Sequence, residues 1–298
     1  MLNRLKRLRT GRDFILMLMF TILVSSMSVL INMPSTSPYS PYNVGDRGYT
    51  QLTSLTLGTA KFIKDLKNLE QKALIIIPLN SKPDSSLPQL IENLLENEAT
   101  VVILDEDGYS NDLMRYFELK AKIDPVKVLD EVSKVRSREY PLADIKFGDT
   151  VFEVVTYKPS HIVIDEENCF IIAKTSRYAY ADIDNNGYYS IGESMDEYII
   201  GCGWRKRNGY LWLISDLDIF TNELISLKDN LEFLGRLVSL GKVYLVIDYL
   251  GLGSIDVSKY LLNELALGVT TWGNISIALL VYLIILVASV MMKYAEKH

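Results

Sequence analysis

Ala73-Leu74-Ile75-Ile76-Ile77-Pro78 is an unbroken apolar run, and Thr100-Val101-Val102-Ile103-Leu104 is a second. A strand with one face in water alternates apolar and polar residues, whereas a strand buried on both faces does not. Between the two runs, Ser85 to Asn97 sets Leu87, Leu90, Ile91, Leu94 and Leu95 on one helical face. Asp105 to Ser110 then turns into a further helix through Leu113, Tyr116 and Phe117. Strand, helix, strand, helix with short connections implies parallel pairing through right-handed crossovers.

The same pattern returns further along the chain. Tyr210-Leu-Trp-Leu-Ile214 and Val243-Tyr-Leu-Val-Ile247 read as two more buried strands. Asn222 to Ser239 reads as the helix between them, with Leu224, Leu227, Leu231, Leu234 and Val238 recurring at helical spacing. Gln51 to Lys72 has helix-like spacing too, through Leu52, Leu55, Phe62, Ile63, Leu66 and Leu69. From about Asp149 to Gly209 the texture changes to short β-branched or aromatic runs between turn residues, the mark of a β-rich insertion. The fold class expected is therefore α/β, a mostly parallel sheet flanked by helices, with that insertion.

The ends carry a different signal. Phe14–Met33 is a charge-free run of twenty residues, long enough to cross a hydrocarbon core. A second run, Ile275–Met292, is extended outward by Thr271 to Asn274. Arg4, Lys6, Arg7, Arg9 and Arg12 precede the first run, and Lys293 and Lys297 follow the second. The positive-inside rule then sets both termini in the cytoplasm. The organisation expected is a basic cytoplasmic stretch (1–13), a membrane helix (14–33), an extracytoplasmic domain (34–272), a second membrane helix (273–292) and a cytoplasmic tail (293–298). A cleaved signal peptide ending near Ser26-Met27-Ser28 is the alternative for the first run, which is longer than an ordinary signal core.

Composition narrows the function classes. The chain has 298 residues, 49% of them hydrophobic, and a net charge of −6, which offers nothing to nucleic acid. Two Cys and two His exclude a Cys-rich zinc module and leave little for imidazole catalysis. Cys202 lies in Gly201-Cys202-Gly203, but Trp204-Arg-Lys-Arg follows it rather than a helix, so it is no nucleophile elbow. Cys169 begins a strand. The two cysteines read as core residues or as one disulfide, and His161 as structural or exposed. Gly251-Leu-Gly253 reads as a turn, because Asp256 stands where a dinucleotide loop needs its third glycine.

One local motif is sharper. Asp182-Ile-Asp184-Asn-Asn186-Gly187-Tyr188-Tyr-Ser190-Ile-Gly-Glu193 matches the twelve-residue calcium loop D-x-[DN]-x-[DN]-G-x5-E. Calcium takes six or more oxygens, here from Asp182, Asp184, Asn186, the Tyr188 carbonyl, Ser190 through water, and both oxygens of Glu193. The flanks do not read as helices, so this is an isolated loop. The competing reading is a hairpin turned by Asn186-Gly187. Tyr178, Tyr180, Tyr188, Tyr189 and Tyr198 crowd the same region and read as strand packing.

The order of motifs resembles a family of archaeal and bacterial membrane proteins whose outer domain is a degenerate class I glutamine-amidotransferase sheet, flavodoxin-like, between two membrane helices. The resemblance rests on Asn43-Val-Gly45-Asp-Arg-Gly48, the Leu74–Pro78 and Thr100–Asp105 strands, Ser215-Asp216-Leu-Asp-Ile-Phe220-Thr-Asn222, and Asp229-Asn230-Leu-Glu-Phe-Leu234. It implies an amidotransferase-like domain without an assigned activity, in the company of transport or ATPase-linked envelope complexes. The function expected is non-enzymatic binding of a ligand or partner by a membrane-anchored domain, with the bilayer and a membrane-protein partner or second copy as its neighbours. The rival is a hydrolase or amidotransferase-like enzyme built on Asp105, Asp107 and Asp216, at the carboxyl ends of parallel strands, where open α/β sheets hold their sites.

Overall fold

The computed structural model describes residues 2–56, 59–66, 72–164 and 169–264. The chain divides into two units, Met1–Met33 with Ser254–His298, and Pro34–Gly253.

The first unit contains helix α1 (Leu2–Asn32), which takes in the first charge-free run. Along it, Phe14, Leu16, Ile22 and Leu23 are exposed. Thr21 and Ser26 turn their hydroxyls back onto the carbonyls of Met17 and Ile22, four residues earlier. Residues 254–264 are also helical. Among the described residues no helix is long and apolar enough to cross a membrane. This overturns the two-span topology with both termini in the cytoplasm: a span takes about 20 predominantly apolar residues in one helix, and in α1 the run is interrupted by Thr21, Ser25, Ser26, Ser28 and Asn32. The second run, 273–292, and the tail 293–298 lie outside the described residues.

The second unit is dominated by sheet. In chain order it holds α2 (Thr50–Leu55), β1 (Thr59–Lys61), β2 (Ala73–Pro78), α3 (Leu87–Glu96), β3 (Thr100–Leu104), α4 (Asn111–Tyr116), β4 (Ala121–Asp130), β5 (Leu142–Phe147) and β6 (Thr150–Val155). There follow β7 (Ser160–Ile164), β8 (Phe170–Thr175), β9 (Ala179–Ala181), β10 (Met195–Asp196), β11 (Ile199–Lys206), β12 (Gly209–Ile214), α5 (Asn230–Val238) and β13 (Lys242–Val246). One sheet has nine strands in the order β1-β13-β2-β3-β12-β11-β8-β5-β6, and a second has four in the order β10-β9-β4-β7.

The nine-stranded sheet changes character across its width. From β1 to β12 every neighbour is parallel, with Ile77 opposite Ile103 and Leu104 opposite Ile214. From β12 to β6 every neighbour is antiparallel. The four apolar runs singled out in the sequence form β2, β3, β12 and β13, side by side. The side chains of β2 and β3 are buried on both faces. Leu87, Ile91, Leu94 and Leu95 of α3 join Ile75, Ile77, Val101, Ile103, Leu211 and Leu213 in one core. Each such side chain contributes roughly 1.5–3 kcal/mol on leaving water.

The expected fold class nevertheless fails as a whole. A mostly parallel, flavodoxin-like sheet flanked by helices does not describe a nine-stranded mixed sheet with a second antiparallel sheet and few helices. The departure begins at Ala121, because β4 and β5 precede the stretch read as an insertion. Strand β4 alternates buried and exposed positions only loosely, and β5 alternates over just six residues, too short a run to stand out by periodicity. The helix expected over Gln51–Lys72 breaks into α2, β1 and a short 3-10 turn at Ile63–Leu66, while 67–71 lie outside the described residues. Once Lys61 pairs beside Val246, its backbone serves the sheet rather than a helix. The helix expected over Asn222–Ser239 starts only at Asn230. Thr221 and Asn222 are held by Asp218 and by the backbone of Gly48 instead.

Candidate functional site: two carboxylate clusters

The loop Asp182–Glu193 joins β9 to β10 in the small sheet. Asp182 takes the backbone N–H groups of Asn186 and Gly187 on its two oxygens, at 3.0 and 2.9 Å. Glu193 reaches back to take the N–H of Ile183 at 2.9 Å and that of Ser190 at 2.8 Å. The Ser190 hydroxyl and the Asn186 amide each donate to Asp184 Oδ2 at 2.8 Å. Carboxylate oxygens of Asp182, Asp184 and Glu193 thereby lie within 4.8 Å of one another. Asp182 and Glu193 are buried and Asp184 is exposed.

Of the six residues assigned to calcium, five are thus drawn into one hydrogen-bonded loop. Tyr188 joins it through its N–H, which donates to Asn186 Oδ1 at 2.6 Å, while its exposed ring lies under the Arg138 guanidinium at 3.8 Å. The hairpin alternative needs positive φ at both Asn186 and Gly187. Gly187 has φ +77°, but the positive non-glycine φ falls on Asn185, at 54°. The loop is therefore not an ordinary Asn-Gly hairpin. Among the crowding tyrosines, Tyr180 is buried and meets Tyr189 edge-on at 5.6 Å.

The second cluster stands where β3 and β12 end. These strands are parallel neighbours in register, so the residues after Leu104 and Ile214 leave the sheet together. Glu106, Asp216 and Asp218 converge there, with carboxylate oxygens within 4.8 Å of one another. Asp216 is fully buried and accepts the N–H groups of Tyr157 at 3.0 Å and Asp218 at 2.7 Å. Asp218 accepts the Tyr39 hydroxyl at 3.3 Å, and that hydroxyl in turn takes a hydrogen bond from Arg47 at 3.2 Å. Lys127 lies 3.8 Å from Glu106 and 3.6 Å from Asp107, and donates to the Glu106 carbonyl at 3.1 Å. Glu106 Oε2 is buried and has no hydrogen-bond partner among the described residues.

Burial dominates the electrostatics. It pushes the Glu106 carboxyl up to about 7, against the pull of Lys127 and with the help of Asp218 and Asp107. It raises Asp218 to about 6, with Arg47 and the Tyr39 hydrogen bond opposing. Asp216 is raised by burial and by its two carboxylate neighbours. The protons of such a set belong to the cluster rather than to one residue.

Asp105 and Asp107, named with Asp216 in the enzyme reading, do not enter this cluster. Asp105 spends both oxygens on the N–H groups of Asp107, Gly108 and Ser110, shaping the turn into α4. Asp107 faces Lys127. Glu106 and Asp218 take their place, and Tyr39, Arg47 and Lys127 join from distant parts of the chain. The sequence held one clue, an acid two positions beyond each of two buried strands.

Cys169 and Cys202 form a disulfide, so neither is a thiol. His161 sits in β7 against the Tyr198 ring at 5.4 Å, with burial lowering its pKa. Gly251 has φ +67° and lies outside regular structure, as a turn requires.

No family model matches the chain, and no curated protein matches it. The resemblance to membrane-bound amidotransferase-like proteins is therefore not upheld, in agreement with the mixed sheet. Among solved structures, the "mmIFT52 N-terminal domain" is similar at 12% identity over 61% of this chain and 82% of that one, with a TM-score of 0.44. A β-galactosidase from Bacillus circulans sp. alkalophilus matches at 10% identity over 55% of this chain and 23% of its own, with a TM-score of 0.34. A cytoplasmic protein from Salmonella typhimurium matches at 9% identity over 65% and 78%, with a TM-score of 0.33. Likenesses this partial carry no argument about what the chain does.

Proposed function

We propose that the Pro34–Gly253 unit is a non-enzymatic binding domain whose Asp182–Glu193 loop takes up Ca2+ and, once closed, presents a surface to a ligand or partner. The observation that carries this reading is the convergence of Asp182, Asp184 and Glu193 within 4.8 Å in a loop of calcium-binding spacing. Like charges brought this close repel one another, and a divalent cation relieves that cost. Asp182, Asp184, Asn186, Ser190 and Glu193 supply side-chain oxygens, and Tyr188 a backbone carbonyl. Ile183, Tyr188, Tyr189 and Ile191 are exposed within the loop itself and supply apolar contact area. The test is thermal unfolding of the protein in millimolar Ca2+ and in chelator, with calorimetry alongside. Binding to the folded state alone raises stability by mass action. The melting point is expected to rise with Ca2+ in the wild type and not in Asp184→Ala with Glu193→Ala. An unmoved wild-type melting point and no calorimetric heat would refute the reading.

A second reading, a carboxylate-based hydrolase, draws on the Glu106, Asp216 and Asp218 cluster. An acid held near neutral pH beside other carboxylates suits general acid–base work. Hydrolysis of a panel of chromogenic esters and glycosides, abolished by Glu106→Gln in folded protein, is the result this reading needs.

A further inference from the structure

Glu106, Asp216 and Asp218 bring three carboxylates together. The groups facing them come from four parts of the unit. Arg47, Tyr39 and Tyr49 come from the segment before α2, Lys127 from β4, Asp107 from the loop of Glu106, and Glu223 from beyond Asp218. Two of these are cations, Lys127 and Arg47, and two are further carboxylates: Glu223, which Arg136 pairs at 2.5 Å, and Asp107, which lies 3.6 Å from Lys127. With one proton among the three carboxyls, the buried cluster carries two negative charges against two cations, one of which Asp107 already draws on. Loss of that proton adds a third negative charge in a buried place with no further cation facing it among the described residues, and such a charge is expensive.

The cost has one easy outlet. Asp216 and Asp218 are at most 5% exposed, and Asp216 is fixed by two backbone N–H groups. Glu106 is the outermost, its side chain 18% exposed, on a loop rather than a strand. Its departure would carry consequences, because its main chain is also an anchor. The Glu106 carbonyl accepts both Lys127 Nζ of β4 and the Ser160 hydroxyl of β7, at 3.1 and 2.6 Å. Asp218 accepts Tyr39, on which Arg47 also rests. The cluster therefore fastens the small sheet and the 39–49 segment to the ends of two core strands.

We propose that these three carboxyls form a proton-sharing latch: with one proton among them they hold the 39–49 segment and β4 against the ends of β3 and β12, and loss of that proton frees Glu106 outward and loosens both attachments. Burial places the loss close to neutral pH, where the raised Glu106 carboxyl ionises. The latch operates with or without a cation in the Asp182–Glu193 loop.

The experiment is amide hydrogen exchange on the intact protein in chelator at pH 6 and pH 8, corrected for intrinsic exchange rates. Wild-type amides in 39–49, 105–110 and 124–130 are expected to lose about tenfold in protection at the higher pH, as for a local opening. Glu106→Gln cannot ionise and is expected to keep its protection at both values. Equal protection of the wild type at both pH values, or an equal loss in Glu106→Gln, would overturn the latch. Should that variant fail to fold, the carbon-13 carboxyl shifts of the wild type decide. Titration of Glu106 near neutrality supports the latch, and titration at an ordinary value of about 4.3 overturns it.

Discussion

The side chain of Asn230 pairs with the backbone of Val155 as a neighbouring strand would. Its Oδ1 accepts the Val155 N–H at 2.7 Å, and its Nδ2 donates to the Val155 carbonyl at 2.9 Å. One residue earlier, Asp229 takes the Glu153 N–H and donates its own to the Glu153 carbonyl, at 2.9 and 3.1 Å. Strand β6 is the edge of the nine-stranded sheet. An open edge invites pairing with another chain, and here the start of α5 seals it. Asp229 gives up capping its own helix to do so.

Asn230→Ala leaves Val155 without either partner and removes a third bond, to the Ile219 carbonyl at 2.9 Å. Buried groups left unsatisfied cost roughly 1–3 kcal/mol each, so a loss of about 2–4 kcal/mol is expected. Urea unfolding measures it. Asn230→Ala should also aggregate faster than the wild type in light scattering. Stability within 1 kcal/mol of wild type would show the edge to be held by other means.

Gly187→Ala tests the loop with little steric interference, since a Cβ there meets nothing within 4 Å. Only the left-handed backbone at φ +77° opposes it. The expected cost is about 1 kcal/mol. It should appear as weaker Ca2+ binding in calorimetry, with the melting point in chelator lowered by a few degrees at most.

Gly209→Ala is the contrasting case. Its Cβ would stand 2.2 Å from the Ala99 carbonyl oxygen and 3.2 Å from the Leu95 Cα, both backbone atoms that cannot swing aside. Gly209 opens β12 opposite Lys206, so the β11–β12 hairpin must shift as a unit. A loss above about 3 kcal/mol, or no folded protein, is expected. A well-folded variant with unchanged melting behaviour would contradict the close packing of α3 on this hairpin.

Cys169→Ser with Cys202→Ser removes a cross-link over 33 residues. The loss expected is about 2–4 kcal/mol, with ligand or Ca2+ binding retained. Denaturant unfolding of oxidised, reduced and doubly substituted protein separates the cross-link from the packing of Cys202, which is fully buried.

Stability should fall as pH rises from about 5 to 8. Glu106 at about 7 and Asp218 at about 6 hold protons more tightly folded than unfolded. Their contribution is complete below the unfolded carboxyl range near 4 and is lost as pH passes through 6 to 7, on the order of 1–3 kcal/mol. Thermal melts across this range check the sign, and Glu106→Gln should flatten the slope. A wild-type melting point that climbs steadily to pH 8 would contradict it.

Local apolar runs determined a good deal of this protein by themselves. Ala73–Ile77, Thr100–Leu104, Leu211–Ile214 and Val243–Val246 carry no polar alternation, so only a place inside a sheet covered on both faces suits them. The twelve-residue spacing from Asp182 to Glu193 likewise brought its carboxylates together, because the hydrogen bonds that gather them span at most 10 residues. What the tertiary structure alone decided lies at long range. The extension of the sheet from β12 through β11, β8, β5 and β6 depends on antiparallel partners that no single run specifies. Gln51–Lys72 could satisfy a helix locally, yet β1 gains sheet bonds from β13, about 185 residues away. The Glu106, Asp216 and Asp218 cluster was half visible, as acids following two buried strands. Their shared protons follow from the register that sets Leu104 beside Ile214 and from the burial that Tyr39, Arg47 and Lys127 complete. Charge on a sequence is a count, and its cost depends on the neighbours and solvent that only folding assigns.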